Sequence, residues 1–482
     1  MPTYVLGVDI GTSACKAALF DSSGRQVALA SAGCSVCRPN SGWAQQNPDD
    51  WRYAASRAIK QVTEQIDARD IACVGVDGQS WACVLIDAHG RPLADSPIWM
   101  DTRAKAECDE IDRLGGALFQ LCGNPTQPTY TLPKLLWFRN NMPDLFARAA
   151  SVMQSNSYVV YGLTGRITQD VSQGYGYQCF DIRRCRWDED ALRALLIPAG
   201  MLPEVVECDE IVGGITAAAA RETGLLAGTP VVAGGLDAAC GALGTGVIEV
   251  GQTHEYGGTS GGMSICADGF TADPRLIFCR HVVPDRWLLQ GGTVGAGGAL
   301  RWLRDVLCPE LSFDDMTALA AQAPPGSDGL IFLPYLAGER SPIWDPEARG
   351  VFDGLDYSKT RAHLIRAVLE GVAYSLKHNL DVAAEAGARP AELRAMGGGA
   401  NSLLWTQIKA DVTGCSIAVP GADAVSALGA AMLAGVGAGV WASYGDAVRD
   451  VVRIARRHEP NRDNAAAYEE GYARYRALYS KA

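Results

Sequence analysis

No Gly-Lys dipeptide occurs anywhere in the 482 residues, which excludes a Walker A phosphate loop. An early strand-to-helix turn of the form G-x-G-x-x-G is also missing, which argues against a dinucleotide-dependent dehydrogenase. Basic charge is in deficit: 42 Lys and Arg face 54 Asp and Glu, a formal net charge of −12. Nucleic acid and anionic membrane both require a basic face, so neither is expected as a partner. The opening Met1-Pro2-Thr3-Tyr4-Val5-Leu6 lacks the basic region and long apolar core of a secretory signal. The 15 cysteines have no repeating spacing, and Cys34-Ser35-Val36-Cys37 has no second pair to complete a zinc site. Reduced thiols in a cytoplasmic protein are therefore expected. Charge is absent between Asp423 and Asp446, but that stretch is mainly Ala and Gly. A tightly packed core helix breaking near Gly435-Val436-Gly437 is expected there, not a membrane span.

What is present suits a large α/β protein. The chain is too long for one ordinary core, so two domains are expected. Tyr4 to Asp9, Ala17 to Asp21 and a run from Gln26 read as a strand meander with glycine turns. Asp49 to Asp67 has helical spacing, with Trp51, Ala55, Ile59 and Val62 on one stripe. Ile71 to Val76 and Cys83 to Ile86 read as strands. Strand-glycine-strand units return at His254 to Ile265 and Arg280 to Gln290. A long helix follows over Thr360 to Ala386, and an amphipathic helix is expected after Asn461. The recurrence predicts two related halves, 1–247 and 248–482, divided near Gly244 to Gln252.

Four segments carry candidate chemistry. In Gly7-Val8-Asp9-Ile10-Gly11-Thr12-Ser13-Ala14-Cys15-Lys16, an acid closes a strand before a turn rich in glycine and hydroxyls. Such a turn can aim N–H groups and hydroxyls at phosphate oxygens, with Asp9 holding Mg2+ through water and Lys16 neutralising charge. An ordinary Asp-x-Gly hairpin has the same pattern. His254-Glu255-Tyr256-Gly257-Gly258-Thr259-Ser260-Gly261-Gly262 repeats that chemistry in the second half. Gly397-Gly398-Gly399-Ala400-Asn401-Ser402 offers a bare backbone against which a nucleotide can lie. In Gly234-Gly235-Leu236-Asp237-Ala238, Asp237 is the single acid of a small, apolar stretch. It can take a proton from an attacking hydroxyl, or cap a helix, or both.

Taken together, these segments resemble the FGGY family of carbohydrate kinases, within the actin, Hsp70 and hexokinase superfamily. Further motifs in the family's order are Trp99-Met100-Asp101-Thr102-Arg103, Pro133-Lys134-Leu135-Leu136-Trp137 and Gly338-Glu339-Arg340-Ser341-Pro342. The most specific is Gly350-Val351-Phe352-Asp353-Gly354-Leu355, followed by His363-Leu364 and Ala367-Val368-Leu369-Glu370. Thr129 departs from the first position of the upstream signature. The resemblance implies two ribonuclease H-like (actin-like ATPase) domains, with MgATP and a small sugar or polyol meeting in the cleft between them. It implies Asp237 as catalytic base, Asp9 as the Mg2+-side acid, and Gly11, Thr12, Ser13, Lys16, Gly258, Thr259 and Ser260 around the phosphates. Gly297, Arg301, Gly398, Asn401 and Ser402 would border the nucleotide. Gln79, Ser80, Trp81, Trp99, Asp101, Arg103 and Ala238 would border the acceptor. A homodimer is consistent with the family.

Order and spacing are most similar to the xylulokinase branch, which makes D-xylulose the expected acceptor. Two positions depart from that branch: Gln79-Ser80-Trp81-Ala82 replaces Gln-Met-His-Gly, and Ala238 replaces Asn. Both changes remove hydrogen-bonding capacity, on which hydroxyl recognition depends. Trp81 can stack on an apolar sugar face and donate one N–H, or simply fill the core. Another ketopentose, or a polyol such as erythritol, is the alternative. A non-catalytic actin-like or Hsp70-like nucleotide switch would use the same loops, but it would need a partner-binding module that is not evident.

Overall fold

The computed structural model describes residues 3–422 and 424–479; Met1, Pro2, Asp423, Ser480, Lys481 and Ala482 lie outside the described residues. Two seven-stranded sheets organise it. The first comprises β1 (Tyr4–Ile10), β2 (Ala14–Asp21), β3 (Gln26–Gly33), β4 (Ile71–Gly78), β5 (Ile211–Gly214), β6 (Pro230–Val232) and β7 (Gly235–Leu236). Its order is β5-β6-β4-β1-β2-β3, with β7 also pairing β4. The second comprises β8 (Gln252–Gly257), β9 (Gly261–Ala267), β10 (Ile277–Arg280), β11 (Trp287–Thr293), β12 (Glu392–Met396), β13 (Ser416–Pro420) and β14 (Ile454–His458), in the order β10-β11-β9-β8-β12-β13-β14. In both sheets an antiparallel meander (β1-β2-β3, β8-β9-β11) is extended by parallel strands: β4 beside β1, and β12 then β13 beside β8. This repeated pattern gives the two ribonuclease H-like domains.

The helices that frame the site are α1 (Pro48–Thr63), α2 (Ser155–Thr164), α3 (Asp237–Gly244), α4 (Gly297–Leu307), α5 (Arg361–Glu385), α6 (Leu403–Thr413), α7 (Val425–Gly437) and α8 (Ala465–Tyr479). α1 starts where Asn47 accepts from the Asp49 N–H and Pro48 sets the first turn. It ends four residues before the expected Asp67, whose side chain instead caps a short 3₁₀ turn by accepting from the Arg69 N–H.

The uncharged stretch forms α7, which is buried and stops at Gly437, as expected. Among the described residues, no helix is long and apolar enough to cross a membrane. α7 belongs to the second half of the chain, yet it lies on the first sheet. A Cβ at Gly7 would stand 1.7 Å from the Ala427 carbonyl oxygen, and one at Gly75 would stand 2.0 Å from that of Ala430. The small residues of α7 are the condition for this approach. α3 packs beside it, so the two helices join the sheets at the base of a cleft.

Candidate active site

Parallel strands bring their carboxyl ends to one level, and β1, β4 and β7 do so at the floor of this cleft. Asp9 on β1 pairs in register with Asp77 on β4, and Asp77 pairs with Gly235 on β7. Asp237 follows two residues later as the first residue of α3. The β8–β9 turn forms the opposite wall. The enclosed space is about 590 Å³ and is lined from both domains.

The floor is rich in carboxyls. Burial pushes Asp237 up to about 7, the charge of Asp9 adds to the rise, and the Ala238 N–H at 2.6 Å opposes it. A carboxyl poised there can accept a proton near neutrality. Burial raises Asp9 as well, against the pull of Lys16, whose Nζ is 3.6 Å away. Asp77 is pushed far up by burial and by the charges of Asp9 and Asp237, which makes it the protonated partner of the Asp9 carboxylate beside it.

On the acceptor side, Ser80, Trp81, Trp99 and Ala238 line the cleft. Trp81 holds a left-handed backbone, φ 57°, which is rare for a bulky residue. Lys134 supports that conformation: it is wholly buried and its Nζ donates to the carbonyls of Trp81 at 2.9 Å and Ile98 at 2.7 Å. The indole packs on Tyr130, 4.7 Å between ring centroids, and edge-on to Tyr175. Trp81 Nε1 and the Tyr130 and Tyr175 hydroxyls are buried together, with the indole N–H beside the Tyr175 hydroxyl. Gln79 stands behind this wall. Thr12 Oγ1 donates to Gln79 Oε1 at 3.0 Å and accepts from Trp99 Nε1 at 2.9 Å, so both residues set the Thr12 hydroxyl. Arg340 also lines the cleft, and its guanidinium has no ion pair among the described residues.

On the other side, three glycine segments abut. The N–H groups of Gly297 and Gly298 donate to the carbonyls of Gly258 and Thr259 at 2.9 and 2.8 Å. A Cβ at Gly397, where φ is 85°, would stand 2.7 Å from the Gly257 carbonyl oxygen, so only glycine serves there. Gly258, Thr259, Ser260 and Gly397 line the cleft. Gly398 and Asn401 are exposed beside it, Ser402 caps α6 through the Trp405 N–H, and Arg301 is exposed on α4. Lys409 on α6 pairs with Glu255 on β8 at 2.5 Å, both buried, which fastens the Gly397 segment to the Gly257 turn. A nucleotide could lie along this bare backbone.

Gly11, Thr12 and Lys16 reach the cleft; Ser13 is exposed at the turn and is not on its wall. Asp101 and Arg103 are also off the wall. They pair with each other at 2.8 Å, almost fully buried, while Asp101 accepts from the Ala44 N–H and the Arg103 guanidinium stacks on Trp43 at 3.7 Å. With their polar groups consumed internally, they brace the Trp99 segment. His254 and Tyr256 of the second glycine segment line the cleft; sequence reasoning did not single out Asp77, Tyr130 or Tyr175 for the site, nor Arg340 as a group facing it. An acid closing the apolar run Ile71 to Val76 was a usable signal for Asp77. The tyrosines had none, because they converge from separate segments.

The family model of the FGGY carbohydrate kinase N-terminal domain matches residues 4–244, and that of the C-terminal domain matches residues 258–438. The xylulose kinase of Bacillus subtilis is 32% identical over 99% of this chain and 97% of its own length. The gluconokinase of the same organism is 32% identical over 97% of this chain and 94% of its own length. The crystal structure of xylulose kinase from Rhodospirillum rubrum superposes with a TM-score of 0.93, at 32% identity, over 99% of this chain and 98% of that one. With both domain models matched around a cleft that joins two phosphate-type turns to a poised carboxyl, the chain belongs to the FGGY family of carbohydrate kinases and is a sugar kinase.

Proposed function

We propose that the protein transfers the γ-phosphoryl group of ATP to a hydroxyl of D-xylulose, giving D-xylulose 5-phosphate, with Asp237 as general base. The acceptor oxygen bonds to the γ-phosphorus, the bond to the ADP oxygen breaks, and the hydroxyl proton passes to Asp237. The observation that carries this reading is the seating of Asp237. It opens α3 in a cleft shared by the Gly11 and Gly258 turns, with its carboxyl held near neutrality.

Gly11, Thr12, Lys16, Gly258 and Thr259 would contact the phosphates, while Gly297, Gly398 and Ser402 would border the adenosine. The carboxylate oxygens of Asp9, on the cleft wall, are hard donors of the kind a divalent cation takes. Mg2+, held through water at Asp9, would offset phosphate charge when bound. Trp81 would stack on the sugar and offer its N–H. The halves 1–247 and 248–482, apart from α7, which rides on the first sheet, would close on the substrates and exclude water, which otherwise competes as acceptor.

One observation favours a second acceptor class. The unpaired guanidinium of Arg340 suits a carboxylate, as in an aldonate, and a gluconokinase is among the relatives. The deciding test is ADP release with MgATP across D-xylulose, other ketopentoses, erythritol, glycerol and gluconate. A dominant response to D-xylulose supports the first reading. A dominant response to gluconate replaces it with the second, and one to a polyol removes both while leaving the sugar kinase assignment intact.

A further inference from the structure

Cys15 and Cys34 hold their sulfurs 3.6 Å apart directly beneath the first phosphate turn. Cys15 is buried in β2, two residues beyond Ser13; Cys34 follows β3 and is half-buried, so the pair is reached by solvent from one side. Ala14 faces Gly33 and Cys15 faces Ala32 in the antiparallel register. Cys34 therefore lies diagonal to Cys15, and its N–H donates to the Ser13 carbonyl at 2.9 Å. The Cys15 thiol holds Cys34 below the ordinary thiol range, and the same contact together with burial pushes Cys15 up. Thiolate character thus falls on the accessible member, with a protonated thiol in reach behind it. Burial pushes Cys73, Cys83 and Cys122 up to about 12, whereas Cys37 is exposed three residues from Cys34 and has to be separated from it by experiment.

We propose that Cys34 is an oxidation site for hydroperoxides, with Cys15 as its resolving thiol, and that the resulting disulfide reversibly lowers kinase turnover. The Cys34 thiolate attacks a peroxide oxygen and breaks the O–O bond. The products are a sulfenic acid and hydroxide, which takes up the proton that Cys34 released. The Cys15 sulfur then attacks the Cys34 sulfur; the S–S bond forms, the S–O bond breaks, and hydroxide leaves with the Cys15 proton as water. Two thiols are oxidised and one hydrogen peroxide is reduced to two waters. A nearby thiolate and resolving thiol at a partly accessible position are what such sensing requires.

The consequence for turnover is geometric. A disulfide holds its sulfurs about 2.05 Å apart, so this pair must close by about 1.5 Å. The movement is carried by the ends of β2 and β3. Lys16 adjoins Cys15 there and stands 3.6 Å from Asp9, and Ser13 lies two residues before Cys15 in the turn. Displacement of about 1 Å near reacting groups can cost about 10²-fold in rate.

The test treats the full chain with hydrogen peroxide, removes it, and measures acceptor-dependent ADP release with the best acceptor of the panel, alongside peptide mapping of disulfides. The expected result is a Cys15–Cys34 link, a loss of at least about tenfold in turnover, and recovery with dithiothreitol. Cys34→Ser should match the untreated enzyme and resist peroxide, whereas Cys37→Ser should remain sensitive. The proposal is overturned by a Cys34–Cys37 link, by no link, by a linked enzyme with full turnover, or by equal loss in Cys34→Ser. The link map does not depend on which acceptor the enzyme prefers.

Discussion

Asp237 has to lose its proton before it can take one from an acceptor hydroxyl. Its carboxyl titrates near 7 because burial and the Asp9 charge disfavour the ionised form. Deprotonation creates the base, so kcat/KM for the acceptor should rise with pH and reach its midpoint close to 7. A profile already flat from pH 5 upward would contradict the assignment. Asp237→Asn keeps the shape and removes the base; turnover should fall by about 10²- to 10⁴-fold, with ATP binding by calorimetry largely retained. Trp81 allows a finer division between stacking and donation. Trp81→Phe keeps an aromatic ring against Tyr130 but deletes Nε1–H, whose neighbour within the protein is the Tyr175 hydroxyl. If that N–H serves the sugar, the acceptor KM should rise by about tenfold with kcat little changed. An unchanged KM would leave Trp81 a purely apolar wall.

At the scale of elements, two supports decide the site's shape. Lys134 on its helix holds the carbonyls of Trp81 and Ile98 from within the core. Lys134→Met should leave both carbonyls unsatisfied, cost about 1–3 kcal/mol in denaturant unfolding, and raise the acceptor KM through the misplaced Trp81. Stability loss without a KM effect would confine Lys134 to packing. The second support is the contact between α3 and α7. A Cβ at Gly429 would stand 1.8 Å from the Cys240 carbonyl oxygen, and both elements are backbone there, so neither can swing aside. Gly429→Ala should force the helices apart and lower stability by at least about 1–3 kcal/mol, read as a drop in Tm.

At the scale of the whole molecule, the cleft draws its walls from two domains joined through α3 and α7. Ligands that touch both walls favour the closed arrangement in proportion to their differential affinity. A non-hydrolysable ATP analogue together with the preferred acceptor should reduce the radius of gyration in small-angle scattering more than either ligand alone. Equal values in all states would mean that the domains do not move.

The two-domain α/β architecture and the glycine segments at Asp9, Gly258, Asp237 and Gly397 were legible in the sequence. Each is a contiguous run in which turn chemistry, strand periodicity and the reactive side chain stand side by side, and such local couplings survive without knowledge of the fold. The uncharged helix was legible for the same reason: its small residues report close packing directly. Tertiary structure alone decided which acids share the floor, because the registers of β1 with β4 and of β4 with β7 align Asp9, Asp77 and Asp237 across more than two hundred positions of chain. It also turned Asp101 and Arg103 toward each other behind the cleft wall, gathered Tyr130 and Tyr175 around Trp81, and brought Arg340 to the same cleft. Those outcomes depend on long-range strand pairing and helix packing, where a side chain's partner is set by sheet register and not by its neighbours in sequence.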